Sequence, residues 1–131
     1  MTVDVKQPPC PCGGGAYAQC CGRFHGGVQP ETAEQLMRSR YSAYALGLMD
    51  YVHASWHPDT RPPRSGLIHD AATKWLGLDV KRHAPMGNEA TVEFVARYKT
   101  GGRAQRLHEV SRFVREEGKW RYIDGNFPET K

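Results

Sequence analysis

All four cysteines of the chain lie between residues 10 and 21, in the stretch CPCGGGAYAQCC. Their spacing, C-x-C-x7-C-C, gives two close pairs joined by a glycine-rich segment. Two such pairs suit a tetrahedral metal ion whose ligands come from short segments folded together. Gly13, Gly14 and Gly15 allow a tight reversal, and their amides can face the thiolates. The pattern predicts a metal site formed by Cys10, Cys12, Cys20 and Cys21.

Other uses of the cysteines fit less well. A disulfide between Cys20 and Cys21 would be a strained vicinal ring, and the remaining pairings would also close very short loops. Free thiols with a redox role stay open as an alternative. Four thiolate ligands leave no open coordination position, which indicates a structural site. Zinc is the expected metal, iron is compatible with four thiolates, and His25 is a reserve ligand.

The cysteine cluster resembles the SEC-C motif, a short zinc-binding segment found at the C-terminus of the SecA translocation ATPase and in many other bacterial proteins. CPCGGG, Tyr17 and the Cys20-Cys21 pair match the motif's parts in order. The chain departs from the motif at Gly14, where Ser is usual, and in a spacer one residue shorter. The resemblance implies a zinc-binding segment over residues 1–27 and, as in the SecA tail, a protein partner that contacts it.

Length and charge narrow the class of protein. A chain of 131 residues and 14.7 kDa forms one compact core with at most a short appendage. The start MTVDVKQPPC lacks the features of a secretory signal, and no apolar run is long enough for a membrane span. We therefore expect a cytoplasmic protein without a membrane partner. Its net charge of +4 is small and spread along the chain, which argues against nucleic acid as a partner.

The order of the patterns predicts an α+β fold over residues 28–131. Apolar residues at helical spacing follow Thr32, a predicted N-cap, and stop near Gly47. A second short helix is predicted over 49–57 and a further helical turn over 69–77. Four runs of period two then predict strands at 78–83, 90–99, 106–118 and 119–125. Helices followed by an antiparallel sheet are expected to pack on one curved face of that sheet.

The period-two pattern places Leu107, Glu109, Ser111 and Phe113 on one face of their strand, and Trp120, Tyr122 and Asp124 on one face of the last strand. Such mixtures of polar and apolar side chains on single faces predict a partly hollow concave surface. Its candidate pocket residues are Arg40, Tyr44, Trp56, His57, Glu93, Arg97, His108, Glu109 and Asp124. The simplest role for Arg40 is an ion pair with Glu93 or Glu109 between helix and sheet. An enzyme is the alternative, with His108 or Glu109 as acid or base and Arg40 or Arg97 orienting an anion. No spacing marks a nucleophile with its base.

The resemblance extends beyond the cysteines. LMRSRYSAY, SWHP, VEFVARY and the stretch from His108 to Val114 are similar to the YchJ family of uncharacterised bacterial proteins. This resemblance implies a domain like nuclear transport factor 2 (NTF2), a cone of bent sheet and helices around a pocket. It implies no reaction, because that fold serves enzymes and binding proteins alike. We expect a zinc-binding protein that is an interaction or ligand-binding module. A small-molecule ligand in the pocket and a homodimer are both compatible with this expectation.

Overall fold

Helices precede strands along the chain in the computed structural model, which describes residues 8–128. The helices are α1 (Cys21–His25), α2 (Ala33–Leu46) and α3 (Met49–Ala54), and 3-10 turns lie at Tyr17–Gln19 and Arg64–Gly66. The strands are β1 (Thr73–Met86), β2 (Glu89–Thr100), β3 (Arg103–Glu116) and β4 (Lys119–Asn126). The predicted α+β order is confirmed.

Helix α2 begins and ends where the sequence predicts. The Thr32 side chain accepts a hydrogen bond of 3.1 Å from the Gln35 amide, so it caps one of the free N–H groups of the first turn. Gly47 ends the helix with a φ of +79°, a left-handed conformation that glycine adopts without a steric penalty. The boundaries of this helix are therefore set by local chemistry.

The four strands form one antiparallel sheet in the order β1-β2-β3-β4. The helical turn predicted over 69–77 is wrong, because β1 already begins at Thr73 and pairs with the end of β2. Trp75 lies opposite Tyr98, whereas its neighbour Leu76 is 52% exposed. Pairing with β2 satisfies the backbone of this segment, which overrides its weak helical pattern.

Helix α2 packs on one face of the sheet and forms the main core with it. Leu36 and Met37 of the helix meet Val92, Ala96 and other inward-facing strand residues. Cys10, Cys12 and Cys21 belong to the same buried cluster. The metal segment, as we call residues 8–27, is thus packed against α2; residues 1–7 of the expected segment 1–27 lie outside the described part.

The free edge of β4 is partly covered by the segment after α3. The His57 amide donates to the Tyr122 carbonyl (2.8 Å), and the Tyr122 amide donates to the Ser55 carbonyl (2.9 Å). The second predicted helix therefore ends at Ala54, earlier than expected, because Trp56 forms a β-bridge with Tyr122 of β4 and does not continue the helix. None of the helices described between residues 8 and 128 has the length and apolar content to cross a membrane.

Candidate metal centre and the neighbouring cavity

The four cysteine sulfurs converge in the metal segment. All four Sγ atoms lie within 4.8 Å of one another, with 3.5 Å from Cys12 to Cys20 and 3.7 Å from Cys21 to Cys12. A tetrahedral zinc site with Zn–S bonds of about 2.3 Å separates its sulfurs by about 3.8 Å. The four cysteines are free, so the disulfide alternative is not what the structure forms. Their donor set and spacing fit a single metal ion.

A short hairpin-like turn shapes this cluster. The Cys10 amide donates to the Gly15 carbonyl (2.7 Å), and Gly13 and Gly15 have φ values of +87° and +121°. Gly14 has no such constraint, but an added Cβ there would lie 2.9 Å from the Cys20 sulfur. A side chain at position 14, where the SEC-C motif has Ser, would therefore lie close to the sulfurs. Positions 13 and 15 favour glycine because their backbone has a positive φ.

The pKa values of three of the cysteine thiols are shifted in different directions. A hydrogen bond from the Cys21 thiol lowers the pKa of Cys12 to about 4, and that contact raises the pKa of Cys21. Burial raises the pKa of Cys20 to about 11. A thiolate stabilised by neighbouring thiols is the arrangement expected of a site that releases its remaining protons when a cation binds.

Helix α2 holds the cluster from the inner side. The Ser42 hydroxyl lies 3.4 Å from the Cys10 sulfur, and the Arg38 guanidinium donates to the Cys12 carbonyl (3.2 Å). Cys10 is buried, and Cys12 and Cys21 are each only 1% exposed. The cysteine cluster therefore faces the domain core, and solvent reaches mainly the outer loop at residues 13–15.

His25 links the metal segment to α2 instead of standing in reserve as a ligand. Its Nε2 lies 2.9 Å from the Ser39 carbonyl oxygen, which accepts a proton, and its Nδ1 lies 2.6 Å from the Tyr17 hydroxyl. The ring also packs edge-on against Tyr51. Burial lowers the pKa of His25. Because both ring nitrogens have partners, His25 links the metal segment to α2, which corrects its assignment as a reserve ligand.

A second feature lies between α2 and the sheet: a cavity of about 260 Å³, which we call the helix-sheet cavity. Of the nine candidate pocket residues, it brings together Arg40, Tyr44 and Glu109. Its other lining residues are Met37, Tyr41, Trp75, Phe94, Ala96, Leu107, Ser111, Phe113 and Tyr122. The period-two pattern of β3 already placed Leu107, Ser111 and Phe113 beside Glu109, but nothing in the sequence marked Trp75.

Arg40 is 6% exposed and is held by α3, not by an acid. Its Nη1 donates to the Val52 carbonyl (2.9 Å) and to the Ser55 hydroxyl (2.8 Å). The guanidinium lies over the Tyr122 ring, 4.3 Å from its centroid. Burial lowers the pKa of Arg40, against the opposing effect of nearby Tyr44, Tyr122 and Glu109. The predicted ion pair with Glu93 or Glu109 does not form, because the carbonyl and hydroxyl of α3 take its place.

Glu109 is the acidic group of the same cavity and is 8% exposed. Its Oε2 accepts hydrogen bonds from the Ser111 hydroxyl (2.8 Å) and the Tyr122 hydroxyl (3.1 Å). Gly125 lies directly beside it, where an added Cβ would overlap the carboxylate. Burial is the main cause that raises the pKa of Tyr122, and the negative charge of Glu109 is the second cause. Three neighbours thus fix the carboxylate against β4.

Four other candidates lie outside the cavity, where each forms a hydrogen bond with a neighbouring side chain. His108 and Glu93 are 2.7 Å apart, and Arg97 donates to Asp79 (2.8 Å). Glu93 and Arg97 alternate with cavity-lining residues of β2, as His108 does on β3, so they face the other side of the sheet. Asp124 is turned outward by a register shift after Arg112, with which it forms two hydrogen bonds.

The last two candidates lie beside the cavity. Trp56 packs edge-on against Tyr122, with ring centroids 5.1 Å apart. The centroid of the Trp56 ring also lies 5.0 Å from the Arg40 guanidinium carbon. His57 is 7% exposed; its Nε2 lies 2.9 Å from Glu116, and its Nδ1 accepts the Asp59 amide proton. Because both nitrogens of His57 are engaged, it fixes the segment beside β4 and does not enter the cavity.

The fold and these two features define a class: an NTF2-like α+β domain that carries an N-terminal segment with four clustered cysteines. The chain belongs to the YchJ family, since the family model described as "YchJ, middle NTF2-like domain" matches residues 32–125. It is 59% identical over 129 residues to a UPF0225 protein of Cupriavidus metallidurans, covering 92% of this chain and 90% of that protein. A UPF0225 protein of Ralstonia nicotianae is 57% identical, with 96% of each chain covered.

Two solved structures have the same fold. A SEC-C motif containing protein from Rhodopseudomonas palustris is 35% identical with a TM-score of 0.79, covering 92% of this chain and 99% of that one. A second SEC-C motif containing protein, from Psychrobacter arcticus, is 28% identical with a TM-score of 0.74, covering 100% of this chain and 88% of that one. The second similarity covers the whole chain, the four cysteines included.

Proposed function

We propose that the protein binds one zinc ion through Cys10, Cys12, Cys20 and Cys21, and that the metal is structural. The observation that carries this proposal is the convergence of four sulfurs within 4.8 Å. A segment this short has no core of its own, and structural zinc contributes on the order of 10 kcal/mol to the folding of such segments. Four thiolates complete the coordination sphere, so the metal has no position for a substrate.

The role of the metal is to fix the metal segment on α2. The inner side of the cluster contacts that helix through Ser42 and Arg38, and His25 adds a third link to Ser39. Loss of the ion would remove the bonds that join the two cysteine pairs, so only these hydrogen bonds and the surrounding side-chain contacts would hold the segment on the helix. The similarity to SEC-C motif containing proteins supports a metal here.

The test is elemental mass spectrometry of the reduced protein, purified without added metal. We expect about one zinc per chain, lost in Cys12→Ser. Ser42→Ala is the matched control, because it removes a hydroxyl beside the cluster but no ligand, and it should keep its metal. One iron per chain would contradict the zinc assignment and retain the four-cysteine site. A folded, reduced protein without any metal would overturn the site itself.

We also propose that a protein partner contacts the outer surface of the metal segment. The sulfurs face inward, so a partner would contact the outer loop and the residues after α1, where Val28 is 54% exposed. Val28→Asp should then weaken capture of a purified partner, and Val28→Ala should do so less. Equal capture by both variants and the wild type would place the contact elsewhere.

The geometry gives the enzymatic alternative no support among residues 8–128. Glu109 and His108, the suggested acid or base groups, lie on opposite faces of the sheet. Arg97, the suggested second anion-orienting group, pairs with Asp79 outside the cavity. Binding, without a chemical step, is the function that this arrangement supports.

A further inference from the structure

Two buried charges of opposite sign line the helix-sheet cavity without forming an ion pair with each other. Arg40 is 6% exposed and Glu109 is 8% exposed, and both are cavity-lining residues. Within the described part of the chain, neither forms a salt bridge with any residue. A buried charge is costly unless it is paired or fully hydrogen-bonded. Both charged groups therefore border the same cavity, and neither has a charged partner there.

Both groups retain unused hydrogen-bonding capacity. Arg40 uses only Nη1, and its other N–H groups have no acceptor among residues 8–128. Glu109 accepts both hydroxyl bonds on Oε2, so Oε1 has no donor in that same range. Neither charge is free to move, because α3 and two aromatic rings hold Arg40, while Ser111, Tyr122 and Gly125 hold Glu109. The cavity thus presents a fixed cationic donor and a fixed anionic acceptor.

The charges and the remaining walls restrict the ligand. One positive and one negative group sum to zero, so a ligand with a net charge would bring an uncompensated charge into a mainly apolar space. A zwitterion supplies an anionic group for Arg40 and a cationic group for Glu109 without a net charge. The other walls are largely aromatic and aliphatic side chains, among them Trp75, Phe94 and Leu107. These walls favour an apolar body.

We infer that the helix-sheet cavity binds a free α-amino acid with an apolar side chain, its carboxylate on Arg40, its ammonium on Glu109 and its side chain against the aromatic wall. Guanidinium and carboxylate form directional, charge-assisted hydrogen bonds, which orient such a ligand. A cavity of about 260 Å³ is smaller than the range of roughly 300 to 1,000 Å³ for drug-sized ligands, so it suits one amino acid and not a peptide. This binding goes beyond the zinc site and does not depend on which metal that site holds.

The first experiment compares four probes on the zinc-loaded protein by amide-resolved NMR titration. L-Phenylalanine and L-leucine carry both charges, 3-phenylpropionate lacks the ammonium, and phenethylamine lacks the carboxylate. We expect saturable shifts from the two amino acids at residues of β2, β3 and α2 that line the cavity. Each single-charge probe should bind at least about tenfold more weakly, the effect of losing one charge-assisted contact. Equal affinity for 3-phenylpropionate, or no saturable shift from either amino acid, would overturn the inference.

The second experiment uses variants that keep the fold. Glu109→Gln removes the charge and keeps an acceptor for Ser111 and Tyr122; it should weaken L-phenylalanine binding at least about tenfold. Glu93→Gln is the matched control, because it makes the same change on the opposite face of the sheet, and its affinity should equal that of the wild type. Ala96→Leu keeps both charges but fills the cavity, and it should abolish binding. Equal losses in the two glutamine variants, or full binding by Ala96→Leu, would contradict the site.

Discussion

Gly125 shows how one residue positions the acidic side of the cavity. It lies in β4 opposite Ser111, and an added Cβ would overlap the Glu109 carboxylate. Gly125→Ala therefore displaces a carboxylate that two hydroxyl groups hold in place. We expect a loss of about 1–3 kcal/mol in the free energy of unfolding, measured by urea denaturation. Gly66→Ala, with no atom within 4 Å of the added Cβ, is the control and should change it by less than about 0.5 kcal/mol. Equal losses in both variants would contradict this packing.

His25 makes stability depend on pH. Burial lowers its pKa in the folded protein, so below about pH 6.5 the unfolded chain binds more protons at this position. The stabilisation is present above that pH and is lost as the pH falls toward the lowered pKa. His25→Gln keeps a donor for Ser39 without titrating, and its unfolding free energy should fall less between about pH 7 and pH 5.5. Metal content, measured in parallel, separates this effect from metal release. Parallel curves for the two proteins would contradict it.

At the scale of single residues, the sequence predicted the cysteine set but not the partners of Arg40. The cysteines could be predicted because the ligands of one ion must lie within a few ångströms of one another, and their close spacing in the sequence allows this. Arg40 was predicted to pair with Glu93 or Glu109, but its partners are Val52 of α3 and Ser55 at the C-cap of that helix, twelve and fifteen positions away. Such contacts depend on how α3 packs, which no local pattern specifies.

Helix α2 is the element that the sequence specifies most completely. The Thr32 side chain caps its first turn, and this bond is lost in Thr32→Ala. We expect a loss of about 1 kcal/mol in unfolding free energy, measured by chemical denaturation. Thr32→Ser restores the hydroxyl and should recover most of the loss. A serine variant as unstable as the alanine variant would show that the methyl group, not the hydrogen bond, matters here.

The strands show where prediction from periodicity succeeds and where it stops. Alternation placed Leu107, Glu109, Ser111 and Phe113 on one face of β3, and all four line the cavity. On β4 the same rule put Tyr122 and Asp124 on one face, but the register shift between Arg112 and Phe113 turns Asp124 outward. A bulge of this kind depends on the partner strand, so the sequence of β4 alone does not reveal it.

At the scale of the molecule, α2 connects the two features. One side of the helix contacts the metal segment through Arg38, Ser39 and Ser42, and another side brings Arg40 and Tyr44 to the cavity. Residues on both sides belong to one continuous helix, so a change in how α2 is held at one side alters its position at the other. The metal and the cavity are therefore expected to be thermodynamically linked.

Metal removal tests this linkage. A chelator that strips the ion from the reduced protein should increase amide hydrogen exchange at Leu36 to Ala43, where α2 contacts the metal segment, while the centres of β2 and β3 stay protected. The same treatment should lower the melting temperature and weaken cavity binding of L-phenylalanine, because Arg40 loses its fixed position. Adding zinc back should reverse all three changes. Unchanged exchange in α2 would show that the metal does not stabilise the helix, and equal loss of protection throughout the sheet would show global unfolding in place of a local linkage.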